Sequence, residues 1–248
     1  MSRRLSLYTE WDLERQAKYV SLCERNPDAT VLDLGCGNGL FTRKVADAIG
    51  SSSVYGLEID TLAHDARERG IDVIRADLEH ALPCRDEFFD VVLSSQVFEH
   101  TIWSDHHLRE IFRLLKPLGY CMVSTDNLSS WLDVGALVLG WRPFSMHLGE
   151  TCIGNPMSPH HGKKLPPRGH VRVFPYRAFR EFFGIHGFWL ESLLGAGYFP
   201  FGGLLSWKLS SLDPRHARFL VAKARKSPSG NMSTLPPSGR TAPGLLLT

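Results

Sequence analysis

The chain has little of what would mark several large classes of protein. Its five cysteines, Cys23, Cys36, Cys84, Cys121 and Cys152, are odd in number, scattered, and contain no C-x-x-C pair. That pattern argues against a disulfide framework and suits free thiols in a reducing compartment. Long apolar runs are missing. The longest, residues 134–141, is about half of what a helix needs to span a bilayer. An excess of one charge is missing too. The 28 Lys and Arg against 26 Asp and Glu leave a net charge of +2. This is too small for a broad field toward DNA, RNA or a membrane, so any basic site must be local. Two early arginines, Arg3 and Arg4, have no apolar stretch behind them, and no myristoylation motif follows Met1. Neither a secretory signal nor a lipid anchor is expected, and the expectation is a soluble, cytoplasmic protein without integral membrane association.

What is present is ordinary globular composition. With 248 residues, 43% hydrophobic and 22% charged, the chain can bury a core without metals or disulfides. Spacings of three to four between Leu13, Ala17, Val20 and Cys23 predict a helix over 10–25, broken by Asn26-Pro27-Asp28. Short apolar runs predict strands at 30–34, 54–57, 73–75, 90–94 and 120–125. Helices are expected between them at 40–49, 62–69 and 106–115, the last stopped by Lys116-Pro117. Later come a helix at 177–186 and strands at 189–193 and 219–224. Strands that are continuous apolar runs alternating with helices imply an α/β fold: a doubly wound, mostly parallel, seven-stranded sheet of Rossmann-like type with helices on both faces. The period fails over 126–175. The division expected is one domain over 1–226, with a cofactor half at 10–125, an insertion or lid at 126–175 and a closing part at 176–226. The Ser-, Pro- and Gly-rich tail 227–248 is expected to be disordered.

The sharpest local signal is Val31-Leu32-Asp33-Leu34-Gly35-Cys36-Gly37-Asn38-Gly39. A buried strand enters a three-glycine turn and then a helix. Glycines let a ligand approach the backbone, and the helix start offers N–H groups to it. Glu58 ends the next strand, at the same crevice, where a carboxylate can accept ribose hydroxyls. In the dinucleotide fingerprint G-x-G-x-x-G the third glycine would stand at position 40. Here Leu40 occupies it and the glycine falls at Gly39. This opposes a pyrophosphate ligand and an NAD-type oxidoreductase.

The G-x-G-x-G turn resembles motif I of the class I S-adenosylmethionine-dependent methyltransferases. The resemblance continues through Gly56-Leu57-Glu58-Ile59-Asp60, Arg75-Ala76-Asp77-Leu78, Phe89-Asp90-Val91-Val92-Leu93-Ser94-Ser95 and Leu114-Leu115-Lys116-Pro117-Leu118-Gly119. In the last, Leu118 stands where the family has a glycine. Residues 15–127 carry the match, which is similar to the ubiquinone- and menaquinone-biosynthesis type of small-molecule methyltransferase. The implied cofactor is S-adenosylmethionine. The resemblance implies that Asp33 orients the turn or the cofactor ammonium, and that Gly35 and Gly37 admit its methionine part. Glu58 would hold the ribose, Asp77 the adenine amine and the Leu78 N–H a ring nitrogen. Ile59 and Leu78 would sandwich the adenine, and Ser95 and Gln96 would lie near the sulfonium. Asp77 as a loop cap remains an alternative, and Asp90 reads as a strand cap. Arg15 reaches the cofactor carboxylate or stays a solvated helix-face arginine.

For the reaction itself, His100 in Phe98-Glu99-His100 is the candidate base, or else a structural imidazole. In ubiquinone-type O-methyltransferases this loop resembles E-x-x-E-H and can hold magnesium. Gln96 replaces the first carboxylate here, so no metal is expected. A zinc site from Cys152, His160, His161 and His170 has no standard spacing. The stretch 131–174 mixes aromatic residues with Arg142, His147, Lys163, Lys164, Arg168 and Arg172. It suits the acceptor side of the pocket, for a small molecule that is apolar with an anionic group, with oxygen as the preferred atom. RNA is a weaker partner, DNA is not expected, and a non-catalytic binding protein on the same fold stays open. Residues 134–139 are expected to be buried, with contact to a lipid or hydrophobic acceptor as the alternative.

Overall fold

The computed structural model describes residues 2–59, 63–164 and 169–227, without the side chains of residues 2–6. Helix α1 (Ser2–Ser21) precedes β1 (Thr30–Leu34), α2 (Leu40–Ile49), β2 (Ser53–Glu58), α3 (Ala63–Glu68) and β3 (Asp72–Arg75). Then come β4 (Phe89–Ser95), α4 (Ser104–Leu114) and β5 (Leu115–Asp126). The chain continues through α5 (Trp131–Val138), α6 (Tyr176–Ile185), β6 (Phe188–Ala196), α7 (Gly203–Leu212) and β7 (Phe219–Lys226). One seven-stranded sheet runs β3-β2-β1-β4-β5-β7-β6. The first five strands pair in parallel and β7 lies antiparallel between β5 and β6. The expected doubly wound sheet is therefore present, with one antiparallel strand inserted near an edge.

Hydrophobic packing covers both faces. On one, Leu32, Leu34, Val92, Val123 and Leu220 meet Leu108 and Ile111 of α4 and Phe179 and Phe183 of α6. On the other, Val31, Val91, Leu93 and Met122 meet Tyr19 of α1 and Val45 and Ile49 of α2. A parallel strand is sandwiched between two helical layers, which is why β1 reads as a continuous apolar run. At the amino ends Asp90 accepts from Thr30 N at 2.8 Å and from Lys116 Nζ at 2.7 Å. That is the strand cap expected of it.

Several elements differ from the sequence expectation. β5 starts five residues early, at Leu115, because Phe89 pairs Leu115 before the register shifts to Val91–Tyr120. The irregular turn puts Leu118 at φ 65°, the left-handed region for which its glycine-bearing relatives are suited. β7 continues to Lys226 because β6 pairs it to that point. Helices α5 and α7 were not expected. α5 shows no polar–apolar period, yet Ser130 caps it by accepting from Asp133 N at 3.2 Å, the S-x-x-D signature of a helix start. Residues 134–139 are not the buried segment expected: Leu137, Val138 and Leu139 are exposed. The expected tail falls outside the described residues from 228 onward, as does Arg168.

Candidate functional site

The carboxyl ends of β1, β2, β3 and β4 converge on one crevice. The three glycines of the first turn have separate tasks. A Cβ on Gly35 would lie 2.7 Å from Val97 Cγ2, and one on Gly39 would lie 2.6 Å from Ile71 Cδ1 and 2.9 Å from Ala66 Cα. These two let the loop after β4 and helix α3 pack closely. Gly37, at φ 53°, has nothing within 4 Å of its missing Cβ. Its absent side chain leaves open space rather than room for a neighbour. Glu58 ties the second strand to this turn: Oε2 accepts from Gly37 N at 2.8 Å and Oε1 from Ile59 N at 2.8 Å. Ile59 and Leu78 are half-buried apolar side chains on the two adjacent strand ends. Asp77, just past β3, accepts from Glu79 N at 3.1 Å, which is the loop-cap contact.

Asp33 is buried one residue before the end of β1. Oδ2 accepts from Thr42 Oγ1 at 2.6 Å, while Oδ1 has no partner among the described residues. Burial raises its pKa to about 7 against the Thr42 bond that lowers it. A buried carboxylate oxygen without a donor marks room for a cation or donor from outside the chain. Gln96 holds a left-handed φ of 57° just past β4, and its Nε2 is likewise buried without a partner among the described residues. Beside it, Arg15 is buried and not the solvated arginine left open by its helix position. Its Nη1 donates to Ser95 Oγ at 2.8 Å and Ser124 Oγ at 3.0 Å, and Asp12 Oδ1 accepts from Nε and Nη2. The guanidinium thus stands at the carboxyl ends of β4 and β5, next to Ser95.

A second polar group lies behind the loop after β4. Asp126, at the end of β5, accepts from Arg218 Nη2 at 2.9 Å and pairs with His170 Nδ1 at 3.1 Å. Burial opposes its charge, but Arg218 and His170 outweigh that and hold its pKa low. Glu99 is also buried and takes one hydrogen bond from Thr125 Oγ1 at 2.9 Å. Burial and the neighbouring Asp126 raise it to about 7. His170 bonds Ser145 O at 2.8 Å and stacks on His147, with His100 edge-on at 4.7 Å. Burial works against a charged His170, yet Asp126 and Glu99 raise its pKa overall. Burial and His170 push His147 down to about 4. Potential ligand atoms of Glu99, His100 and His170 lie within 4.8 Å of one another. Judged on its loop alone the site lacked a donor at Gln96; the stretch after β5 supplies His170 instead, and two imidazoles with one carboxylate suit a transition metal better than magnesium.

Within the stretch 131–174, Arg142 does not face an acceptor pocket. It is buried and donates to the carbonyls of Ile153 and Pro143, and it also bonds Met146 and Cys152. Lys163 and Lys164 are exposed. Arg172 donates to Ile102 O at 3.1 Å and lines a shallow surface depression with Ile102, Trp103, Phe174 and Phe182. Of the residues above, Thr42, Val97, Ser124 and Arg218 had no signal in the sequence, because each acts through a partner that only folding brings near.

This sheet order, glycine turn and acidic strand end are those of the S-adenosylmethionine-dependent methyltransferase fold. Residues 32–123 match the methyltransferase domain family. A protein of Mycolicibacterium smegmatis named as a probable S-adenosylmethionine-dependent methyltransferase is 36% identical over 120 residues, 47% of this chain and 46% of that one. A ubiquinone biosynthesis O-methyltransferase of Parvibaculum lavamentivorans is 33% identical over 129 residues, 48% of this chain and 51% of that one. The chain spans about half the length of the curated relatives it matches. A crystal structure of an S-adenosylmethionine-dependent methyltransferase from Mesorhizobium loti superposes with a TM-score of 0.59 at 21% identity, over 85% of this chain and 96% of that one. The cofactor is S-adenosylmethionine, and the open space at Gly37 with the unpartnered Asp33 oxygen fits its methionine part.

A pH dependence follows from Asp33. Its carboxyl titrates near 7 when the crevice is free, and an ammonium beside Oδ1 favours the ionised form. Below pH 7 binding must therefore expel a proton. Calorimetry should show affinity about tenfold weaker at pH 6 than at pH 8, and the dependence should vanish in Asp33→Asn. A wild-type affinity equal at the two pH values would refute the placement. The same raised pKa favours the free folded chain at low pH, and this contribution is lost as pH rises through 7.

Proposed function

We propose that this chain methylates a small-molecule acceptor, at an oxygen, and that the acceptor is largely apolar with an anionic group. The observation that carries this is the depression beside the lid, where Trp103, Phe174 and Phe182 stand around Arg172. Ser104 and Asp105 line it too, with Asp105 paired to His186 at 3.2 Å; the apolar walls and the Arg172 cation suit such a molecule. The ubiquinone O-methyltransferase relatives favour oxygen, as a property of those proteins. When bound, S-adenosylmethionine supplies a methyl group already activated on a sulfonium.

The chain then has to bind, orient and exclude water. Asp33 would accept from the ammonium, Glu58 from the ribose hydroxyls and Asp77 from the adenine amine. The Leu78 N–H would donate to the ring, and Ile59 and Leu78 would flank it. Gly37 admits the methionine part, while Gly35 makes room for Val97 instead, with Arg15, Ser95 and Gln96 at the reactive end. His100, edge-on to the Asp126-bound His170, is the group to take up the acceptor hydroxyl's proton.

The test uses methyl-labelled cofactor with a panel of phenols and amines that carry a carboxylate and an apolar tail. Label is expected on phenol oxygen. Arg172→Ala should lower kcat/KM by tenfold or more, roughly 1.4 kcal/mol, and His100→Ala should lower kcat by about 10²–10⁴. Transfer to amines alone would overturn the oxygen assignment. An unchanged kcat in His100→Ala would leave that imidazole a structural role.

A further inference from the structure

Glu79 stands between the two halves of the site. It lies in the loop after β3, two residues past Asp77, and its backbone N–H is the one that Asp77 holds at 3.1 Å. Its side chain points toward the other half. Oε1 accepts from Ile102 N at 2.7 Å and Oε2 from Trp103 N at 3.2 Å. Those two residues end the loop after β4 and lead into α4 at Ser104. Trp103, at the cap position of α4, makes no side-chain cap bond of its own. A carboxylate from another loop takes that role, and the free N–H groups at a helix start favour its charge. A second tie lies alongside, where His106 Nε2 bonds His80 O at 3.0 Å.

The residues that Glu79 holds are also walls of the depression beside Arg172. Ile102 is fixed on both sides of its backbone: Glu79 takes its N–H, and Arg172 Nε donates to its carbonyl at 3.1 Å. A continuous line of hydrogen bonds therefore runs from Asp77 through Glu79 and Ile102 to Arg172. Each link is 3.1 Å or shorter.

The loop that carries Glu79 has no structure of its own to hold it. Residues 76–88 contain neither helix nor strand, and such a loop takes its shape from what it docks on. Its later part is tied to α4 by Glu110, which accepts from Leu82 N at 2.8 Å, and by Arg113, which donates to Cys84 O at 2.8 Å. Its first part is tied to α4 through Glu79 and His80, next to Asp77 and Leu78.

We propose that Glu79 is a positioning residue that couples the cofactor site to the acceptor site, given the adenine and acceptor placements proposed above, on which this rests. An adenine held at Asp77 and Leu78 steadies Glu79, and Glu79 fixes the Ile102–Trp103 wall against which the acceptor packs. The loop is ordered once for both ligands, so the second meets a wall already in place. The coupling acts equally in both directions.

Amide hydrogen exchange read by NMR on the full chain, with and without saturating S-adenosylhomocysteine, tests this and needs no acceptor. Exchange at the Ile102 and Trp103 amides is expected to slow by about tenfold on saturation, as local opening becomes rarer. The slowing should vanish in Glu79→Ala, with calorimetry used to bring that variant to the same saturation. Glu79→Gln keeps one accepting oxygen and should keep the slowing at one of the two amides. A wild-type rate unchanged by ligand would overturn the proposal, because Glu79 would then be a helix cap and nothing more. Slowing that survives in Glu79→Ala would overturn it too, since general stabilisation by the ligand would explain the effect. Asp77→Ala reads the adenine placement separately. A loss of S-adenosylhomocysteine affinity below about twofold would refute that placement and the coupling with it. A loss of about tenfold, with no slowing in the wild type, would refute the coupling alone.

Discussion

Gly37→Val is expected to lose S-adenosylmethionine binding by more than about thirtyfold, near 2 kcal/mol, while the chain stays folded. Gly37 sits at φ 53° with open space where its Cβ would be, so a side chain there enters the crevice and not a neighbour. The backbone strain of a branched residue in the left-handed region costs about 1–2 kcal/mol on its own. Gly70 supplies the control. It has φ 72° and nothing within 4 Å of its missing Cβ, but it precedes β3 at the end remote from the crevice. Gly70→Val should lower the melting temperature about as much as Gly37→Val and leave affinity alone. Equal loss of affinity in the two would mean that strain, not occlusion, is responsible.

The largest effect on stability is expected from Asp126→Ala. Arg218 is buried, and its remaining acidic neighbour is Asp133 Oδ2 at 4.0 Å. Removing Asp126 strands a buried guanidinium, a loss of about 3–5 kcal/mol. In a domain of this size that lowers the melting temperature by roughly 10 °C. Adding Arg218→Met should restore part of the loss, because an apolar side chain removes the uncompensated charge. A loss below about 1 kcal/mol, with no recovery in the double variant, would show that Arg218 reaches water. Thermal denaturation at pH 7.5 measures both. His170 should also lose its position, since Asp126 is one of the two groups that hold its Nδ1.

Elements α2 and β1 were legible to the residue, because the glycine turn and the apolar run are complete within one short stretch. The positions of Asp33, Glu58 and Asp77 were legible for the same reason: each lies at or beside the carboxyl end of a strand. Leu118 was visible as a departure from the family, and its left-handed φ shows what the departure costs locally. α7 was not legible. A search for an apolar inward face fails on a helix whose inward residues are serines. Arg142 was expected on the acceptor side of the pocket, but loop carbonyls surround it.

What the sequence determined by itself is therefore the cofactor half: strand, three glycines, helix and the acidic residue that closes the turn. These are contacts within a βαβ unit, and turn chemistry and hydrophobic run length dictate them locally. Tertiary structure alone decided the rest. It joined Asp126 to Arg218 across 92 residues and Arg15 to Ser124 across 109. It brought His170 from the stretch after β5 to Glu99 and His100, and it turned the apolar side of α7 outward. A side chain's partner at such distances depends on how the layers stack, since buried charges settle wherever the folded chain offers a counter-charge.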